Sequence, residues 1–144
     1  QGVEPPIVGF FGNMDGNTVD RMLLDRVILL RPRYRFALVG PMAADFEGLK
    51  SHPNVIAIPQ KPYREIADYG AAFDVCLMPW LRNEWIEHCN PVKLKEYLAL
   101  GKPVVSTPFP ELRYSGAVCE EAIGAEAFAA AIDRALPLTY DLPR

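Results

Sequence analysis

Short apolar runs recur along the 144-residue chain, and most of them end at a glycine or a proline. Runs of this length without a polar face are typical of strands that are buried in a parallel sheet. The pattern predicts six strands, at residues 7–12, 35–40, 55–58, 74–78, 104–106 and 116–119.

Between several of these runs, apolar residues recur three and four positions apart, as on the buried face of a helix. The first such segment is predicted to begin at an Asn17 cap and to end before Pro32. Its inward face is expected to hold Val19, Met22, Leu23, Val27 and Leu30. Further helical segments are predicted at residues 43–49 (a short turn), 63–71 and 125–136, the last with Phe128, Ile132 and Ala135 inward.

Strands that alternate with helices require crossover connections, which predicts an α/β fold: a doubly wound, Rossmann-like parallel sheet with helices on both faces. We expect one domain at residues 7–136, preceded by a linker or truncation boundary at 1–6 and followed by a tail at 137–144. Loops after parallel strands gather at one edge of the sheet, where ligands bind. The loops at 12–13, 40–41, 59–61, 80–90 and 106–110 should therefore surround one cleft.

The stretch from Asn90 to Thr107 is predicted to form a helix and the strand that follows it. Asn90 is a favourable N-cap, and Pro91 suits the first helical position. Gly101 can adopt the left-handed conformation that ends a helix, and Pro103 prevents its continuation. The free amide groups at the start of this helix would bind an anion, for which phosphate is the obvious candidate.

Glu96 lies about 9 Å along this helix from its cap, from a rise of about 1.5 Å per residue. That distance suits a ribose attached to the phosphate, because a carboxylate can accept from two vicinal hydroxyls. A glutamate on a solvated helix face is the alternative interpretation. Lys93 would either pair with Glu96 one turn away or stabilise the charge of a departing diphosphate.

The sequence NPVKLKEYLALGKPVVST at residues 90–107 resembles the donor-site signature of retaining glycosyltransferases of family 4, which have the GT-B fold. The resemblance is greatest to the type that builds bacterial cell-surface polysaccharides. It implies that the chain is the C-terminal, donor-binding domain, with an acceptor-binding domain before it. In the family this helix and its preceding loop bind the nucleotide diphosphate-sugar, and the glutamate at Glu96 holds the ribose. Many members have a second glutamate eight residues earlier, where this chain has His88.

The resemblance and the motifs together give a set of candidate site residues. The catalytic candidates are Lys93, Glu96 and His88, with His88 either contacting donor sugar hydroxyls or merely solvated. Tyr63 would stack on the base or serve as a packing aromatic. The candidates for binding the nucleotide-sugar are Gly12, Asn13, Lys61, Tyr63, Asn90, Pro91, Val92, Lys93 and Glu96.

The glycine-bearing loop at residues 12–16 matches neither the dinucleotide fingerprint nor the phosphate loop of ATPases. No arginine or lysine occurs from Gly12 to Asp20, although related transferases often place a basic pair near here. The diphosphate would therefore be held by Lys93, Arg21 or backbone amides. The resemblance implies that neither a metal nor another cofactor is needed and that the donor substrate would be a UDP- or GDP-sugar.

Composition narrows the possible partners and compartment. The net charge of -3 and the low pI near 5.4 disfavour nucleic acid as a partner. Three widely spaced cysteines favour a reduced, cytoplasmic compartment. No run of 18 apolar residues and no leader is present, so we expect no membrane insertion by this segment. The full-length protein would be cytoplasmic or peripheral to the inner face of the membrane.

The sequence thus predicts the donor-binding domain of a retaining, hexosyltransferase-type glycosyltransferase. Its acceptor would be a glycan or a lipid-linked sugar, bound through the preceding domain, without which this chain would be inactive. The alternative is a degenerate, non-catalytic module of the same fold that binds a nucleotide or supports a complex.

Overall fold

The computed structural model describes residues 5–81, 96–97, 99–108 and 119–137. They form a six-stranded sheet in which every pair of neighbouring strands is parallel, in the order β3-β2-β1-β4-β5-β6. The strands are β1 (Ile7–Phe11), β2 (Arg35–Val39), β3 (Val55–Ile58), β4 (Val75–Met78), β5 (Val104–Ser106) and β6 (Cys119–Glu121).

Helices connect the strands and cover both faces of the sheet. They are α1 (Arg21–Leu30), α2 (Tyr63–Ala71), α3 (Ala125–Ala135) and a 3-10 helix at Ala44–Ser51. Residues 96, 97 and 99 are also helical. The predicted doubly wound, Rossmann-like fold is confirmed.

Each face of the sheet has its own apolar core. On one face α1, α3 and the 3-10 helix pack on β-strand side chains such as Phe10, Phe36 and Leu77. Phe128, Ile132 and Ala135 of α3 are fully buried there, as predicted. The other face buries Phe11, Phe73 and Tyr97, with Ile66 and Tyr69 of α2 packed against them. No helix in the described residues is long and apolar enough to cross a membrane.

The strand order reverses between β1 and β4, which makes this the switch point of the sheet. In doubly wound folds a crevice opens there at the carboxyl ends of the strands. The register of β1 with β4 extends over Val8 and Gly9. Gly9 is required at this place, because a Cβ there would lie 2.3 Å from the ring of Phe73.

The predicted start of α1 is wrong, whereas its predicted face is right in part. The helix begins at Arg21, and Asp20 is its cap, with Oδ1 accepting from the Leu23 amide at 3.1 Å. Asn17 lies in a preceding turn, where its amide donates to Asp15 Oδ1. Residues 19, 23 and 27 are buried as predicted, and so are 24 and 28, whereas Met22 is 69% exposed.

The sixth strand also differs from its prediction. It runs to Glu121, whereas the apolar run predicted its end at residue 119. Its residues pair with β5 from Val104↔Cys119 onward, so the pairing rather than the hydrophobicity sets its position. Residues 116–118, like the predicted tail at 138–144, lie outside the described residues.

Candidate functional site

A cavity of about 230 Å³ opens at the carboxyl edge of the sheet, where β1, β2 and β3 end. Each strand contributes the residues that follow it, which is the arrangement that the parallel topology predicts. The lining from these loops consists of Gly12, Asn13, Gly40, Pro41, Gln60 and Lys61. The last residues of β1 and β2, Phe11 and Val39, also line it, and Tyr63, Ile66 and Glu96 complete the lining on the other side.

Main-chain hydrogen bonds hold the loops around this cavity. The loop after β1 is joined to the loop after β2 by Met14 N–H to Pro41 O and by Ala43 N–H to Met14 O, both at 2.9 Å. It is joined to the loop after β4 by Asp20 N–H to Pro79 O at 2.8 Å. The cavity therefore has a fixed backbone frame that does not depend on the side chains pointing into it.

Gly12 and Gly40 make the closest approach in this frame. Both adopt positive φ angles, of 139° and 133° respectively. A Cβ at Gly40 would lie 2.2 Å from the carbonyl oxygen of Gly12, so only glycine fits at this position.

Glu96 reaches the cavity from a helical segment that is anchored in the core by its neighbour Tyr97. The Tyr97 side chain is fully buried, and its ring meets the Phe11 ring edge-on at 4.9 Å between centroids. The amide of Phe11, the last residue of β1, donates to Tyr97 Oη at 3.2 Å. Burial raises the pKa of the Tyr97 phenol well above its usual value, so the hydroxyl stays protonated.

Behind Glu96 the segment ends as the sequence predicts. Gly101 adopts φ +73°, the left-handed conformation, and the Lys102 amide donates back to Tyr97 O at 3.5 Å. The Lys102 side chain is buried and donates from Nζ to Ala71 O, at the carboxyl end of α2, at 2.9 Å. These contacts fix the segment that carries Glu96 relative to α2.

Tyr63 extends across the mouth of the cavity to Glu96. Its hydroxyl donates to Glu96 Oε2 at 2.9 Å, although 78% of the tyrosine is exposed. The hydrogen bond and the negative charge of Glu96 raise the pKa of the Tyr63 phenol. Glu96 itself is half-buried, so part of its side chain is accessible to solvent.

Lys61 brings a positive charge to the same mouth. Its Nζ lies 6.0 Å from the centroid of the Tyr69 ring, a distance at which a cation is attracted to the face of an aromatic ring. The described residues provide no salt-bridge partner for it, so its charge remains available to an anion in the cavity.

A second, more apolar cavity of about 210 Å³ lies on the other side of the Tyr63–Glu96 contact. It shares Phe11, Tyr63, Ile66 and Glu96 with the first cavity. Its remaining lining consists of Ala67, Ala99 and Leu100. Ala67 of α2 is exposed to this space.

A larger cavity of about 410 Å³ occupies the β4–β5 side of the same edge, next to Trp80, Thr107 and the start of α3. Two of its polar groups already have partners in the chain. Asp20 caps α1, and Thr107 Oγ1 both donates to Trp80 O and accepts from the Trp80 amide. We place the candidate site in the cavity of about 230 Å³, because the loops after three neighbouring strands and Glu96 converge on it.

The structure brings together five of the predicted binding residues at the candidate site: Gly12, Asn13, Lys61, Tyr63 and Glu96. The others, His88, Asn90, Pro91, Val92 and Lys93, lie outside the described residues. Gly40, Pro41 and Gln60 also line the cavity but were not among the candidates. They belong to the loops at 40–41 and 59–61, which the sequence had predicted to surround the cleft. The described residues contain no group of three histidine, cysteine, aspartate or glutamate side chains placed to hold a metal.

Solved structures share this fold. Sucrose-phosphate synthase from Thermosynechococcus elongatus superimposes with a TM-score of 0.75 at 21% identity, over 95% of this chain and 37% of that one. Anabaena Alr3699/HepE, solved in complex with UDP and glucose, gives a TM-score of 0.71 at 16% identity, over 96% of this chain and 44% of that one. At these identities the similarity concerns the fold.

Sequence comparison is more specific. The chain is 33% identical over 114 residues to the Bacillus subtilis (strain 168) protein TuaH, provisionally named a teichuronic acid biosynthesis glycosyltransferase. That match covers 76% of this chain and 28% of TuaH, so the chain spans less than half of the length of the relatives described here. The model of the family described as glycosyl transferases group 1 matches residues 5–137. The chain therefore belongs to the glycosyl transferases group 1 family.

Proposed function

We propose that this chain is the nucleotide-sugar-binding domain of a retaining glycosyltransferase, the C-terminal half of a GT-B enzyme of the family 4 type. One observation carries the proposal: Glu96 and the loops after β1, β2 and β3 line one cavity at the carboxyl edge of the sheet. The family supports glycosyl transfer as the reaction. The donor would be a UDP- or GDP-sugar, and UDP is supported by the complexes of Alr3699/HepE.

In this proposal Glu96 accepts hydrogen bonds from the ribose hydroxyls, and the Gly12–Asn13 backbone and Lys61 face the rest of the nucleotide. A carboxylate accepts hydrogen bonds from both vicinal hydroxyls, and hydrogen bonds to a charged group are the stronger kind. Lys61 lines the cavity next to Tyr63, and the base would enter on this side. The diphosphate would bind at the helix start near Asn90, with Lys93 stabilising its growing charge as the sugar leaves and His88 contacting the donor sugar.

The acceptor would be a glycan or lipid-linked sugar of a cell-surface polysaccharide, for which the name of the TuaH relative is the support. It would bind through a separate acceptor-binding domain, at the cytoplasmic face of the membrane. We expect the chain alone to bind its donor without transferring the sugar. Transfer of a labelled hexose by the isolated chain would contradict this expectation.

The direct test is calorimetric titration of the chain with UDP, GDP, ADP and NAD. We expect UDP or GDP to bind best, and Glu96→Ala to weaken that binding about ten- to a hundredfold, because hydrogen bonds to a charged group contribute about 1.5 to 3 kcal/mol. Glu121→Ala is the matched control, since it removes the same charge from an exposed position on β6.

The outcomes separate the proposal from its alternative. A folded chain that binds none of the four nucleotides would contradict the donor site and favour the degenerate, non-catalytic module. Equal loss of binding in Glu96→Ala and Glu121→Ala would show that net charge, rather than the position of Glu96, controls affinity.

A further inference from the structure

The Tyr63–Glu96 hydrogen bond lies on the boundary between the two neighbouring cavities. Both side chains line the cavity of about 230 Å³ as well as the more apolar one of about 210 Å³. Any ligand that reaches Glu96 from the carboxyl edge of the sheet therefore meets a carboxylate that already holds the Tyr63 hydroxyl.

Tyr63 is the one hydrogen-bond donor to the Glu96 side chain that the described residues provide. A glutamate side chain has several freely rotating bonds, and a half-buried one at the rim of a cavity would otherwise sample many orientations. The two oxygens of a carboxylate offer about four acceptor positions, and the Tyr63 hydroxyl occupies one of them. Most of the acceptor capacity of Glu96 remains available to a ligand while the bond is made.

The backbone around Tyr63 is held in place, so its hydroxyl can hold the Glu96 carboxylate in one orientation. It is the first residue of α2 and follows Pro62, whose ring restricts φ, observed at -55°. The Glu65 amide donates to Pro62 O at 2.8 Å, which closes the first turn directly behind it. A tyrosine has only two flexible side-chain angles, so holding it costs less conformational entropy than holding a long aliphatic chain.

We propose that Tyr63 is a positioning residue, which holds Glu96 Oε2 so that the carboxylate is already oriented toward the vicinal hydroxyls of a nucleoside diphosphate when it binds. This inference rests on the proposed function of Glu96. The hydrogen bond stays in place in the complex, and Tyr63 acts on the ligand through Glu96 rather than by touching the base.

The test removes only the hydroxyl, with Tyr63→Phe, and measures the affinity for UDP and for 2′,3′-dideoxy-UDP, which lacks both ribose hydroxyls. We expect UDP to bind about three- to tenfold more weakly, as for the loss of one hydrogen bond, and dideoxy-UDP to bind unchanged. In a Glu96→Gln background the same substitution should have a much smaller effect. Tyr34→Phe is the matched control, because it also removes a tyrosine hydroxyl that donates to a carboxylate, that of Asp133 at the other edge of the sheet. It should leave UDP affinity unchanged.

Three results would overturn the proposal. Equal weakening of both ligands would mean that Tyr63 contacts the base or supports the fold. Unchanged UDP affinity in Tyr63→Phe would mean that the hydrogen bond does not orient Glu96. If Tyr63→Phe weakened UDP binding as much in the Glu96→Gln background as in the wild type, the two residues would act independently.

A ligand-free measurement separates this inference from the proposed function. NMR of tyrosine labelled at Cζ, with Tyr63→Phe to identify the signal, should show a raised Tyr63 pKa that returns toward its ordinary value in Glu96→Gln. The absence of that change overturns the inference whether or not nucleotides bind. If the Tyr63 pKa falls in Glu96→Gln as expected but the wild-type chain binds neither UDP nor GDP, the proposed function is contradicted, and with it the role of this hydrogen bond in binding.

Discussion

The two edges of the sheet differ in what their side chains do. At the amino edge, side chains add to the main-chain bonds: Arg31 at the end of α1 forms two hydrogen bonds with Asp133 of α3, at 2.9 and 2.6 Å, and Tyr34 donates to the same carboxylate. Around the candidate site at the carboxyl edge, the loops after β1 and β2 are joined through backbone amides and carbonyls. The side chains named at the amino edge hold helices together, whereas several at the candidate site line a cavity.

Two asparagines show the same contrast. Asn54, just before β3, donates from Nδ2 to Ile28 O and Arg31 O and so closes the carboxyl end of α1. Asn13, just after β1, lines the cavity, and the structure records no side-chain hydrogen bond from it to a described residue. The comparison teaches that the same residue type is bonded to the chain at one edge and lines a cavity at the other.

The largest expected effect comes from breaking the backbone frame at the carboxyl edge. Gly40→Ala places a methyl group 2.2 Å from Gly12 O at a φ that alanine rarely adopts, so we expect a loss of about 3 kcal/mol in the free energy of unfolding. Chemical denaturation measures it. Gly48→Ala is the control, because nothing lies within 4 Å of a Cβ there. Equal stability of the two variants would contradict this prediction, because it would mean that the loops after β1 and β2 can shift at little cost in free energy.

The next largest effect on stability is expected at Asn54, in contrast to Asn13. Asn54→Ala removes two hydrogen bonds to the end of α1, and we expect it to cost about 1 to 2 kcal/mol of stability. Asn13→Ala should change stability by less than about 0.5 kcal/mol but weaken UDP binding severalfold. Denaturation and calorimetry on both variants test the contrast, and a destabilised Asn13→Ala with unaltered binding would reverse it.

The smallest effect is expected at the Arg31–Asp133 pair. Asp133→Asn should cost about 0.5 to 1 kcal/mol near neutral pH, because the pair is partly exposed and screened by solvent. The hydrogen bonds from Arg31 lower the pKa of Asp133, so its contribution is complete above the ordinary pKa of about 3.9 and is lost as pH falls through the lower folded-state pKa. Denaturation at pH 7 and at lower pH checks this.

Asp68→Asn, at an exposed position on α2, is the control for that experiment. Its stability difference from the wild type should stay small and nearly constant across the same pH range. A difference for Asp133→Asn that does not shrink in acid would mean that the pair contributes through packing rather than through charge.

The sequence allowed the fold to be predicted because its signals are local. Apolar runs located the strands, and the boundaries of α2 follow from Pro62 and an apolar face that needs no partner to be recognised. The start of α1 could not be located in this way, since Asn17 and Asp20 are both good caps. The choice depends on the pairing of Val19 with Trp80, which are far apart in the sequence.

The candidate site divides along the same line. Gly12, Asn13 and Lys61 could be predicted to lie together, because they directly follow parallel strands. The hydrogen bond between Tyr63 and Glu96 could not, because it depends on how two helical segments 33 residues apart are placed side by side. Topology determines which loops meet, whereas packing determines which side-chain atoms touch.

The contact of Tyr97 with Phe11 has a mechanical consequence. The Tyr97 hydroxyl accepts a hydrogen bond from the last amide of β1, so the position of the helical segment along the strand is fixed by this bond. A slip of the segment by one residue would withdraw the hydroxyl from that amide and rotate Glu96 away from the cavity at the same time. The direction of the Glu96 carboxylate is therefore set by the position of the sheet.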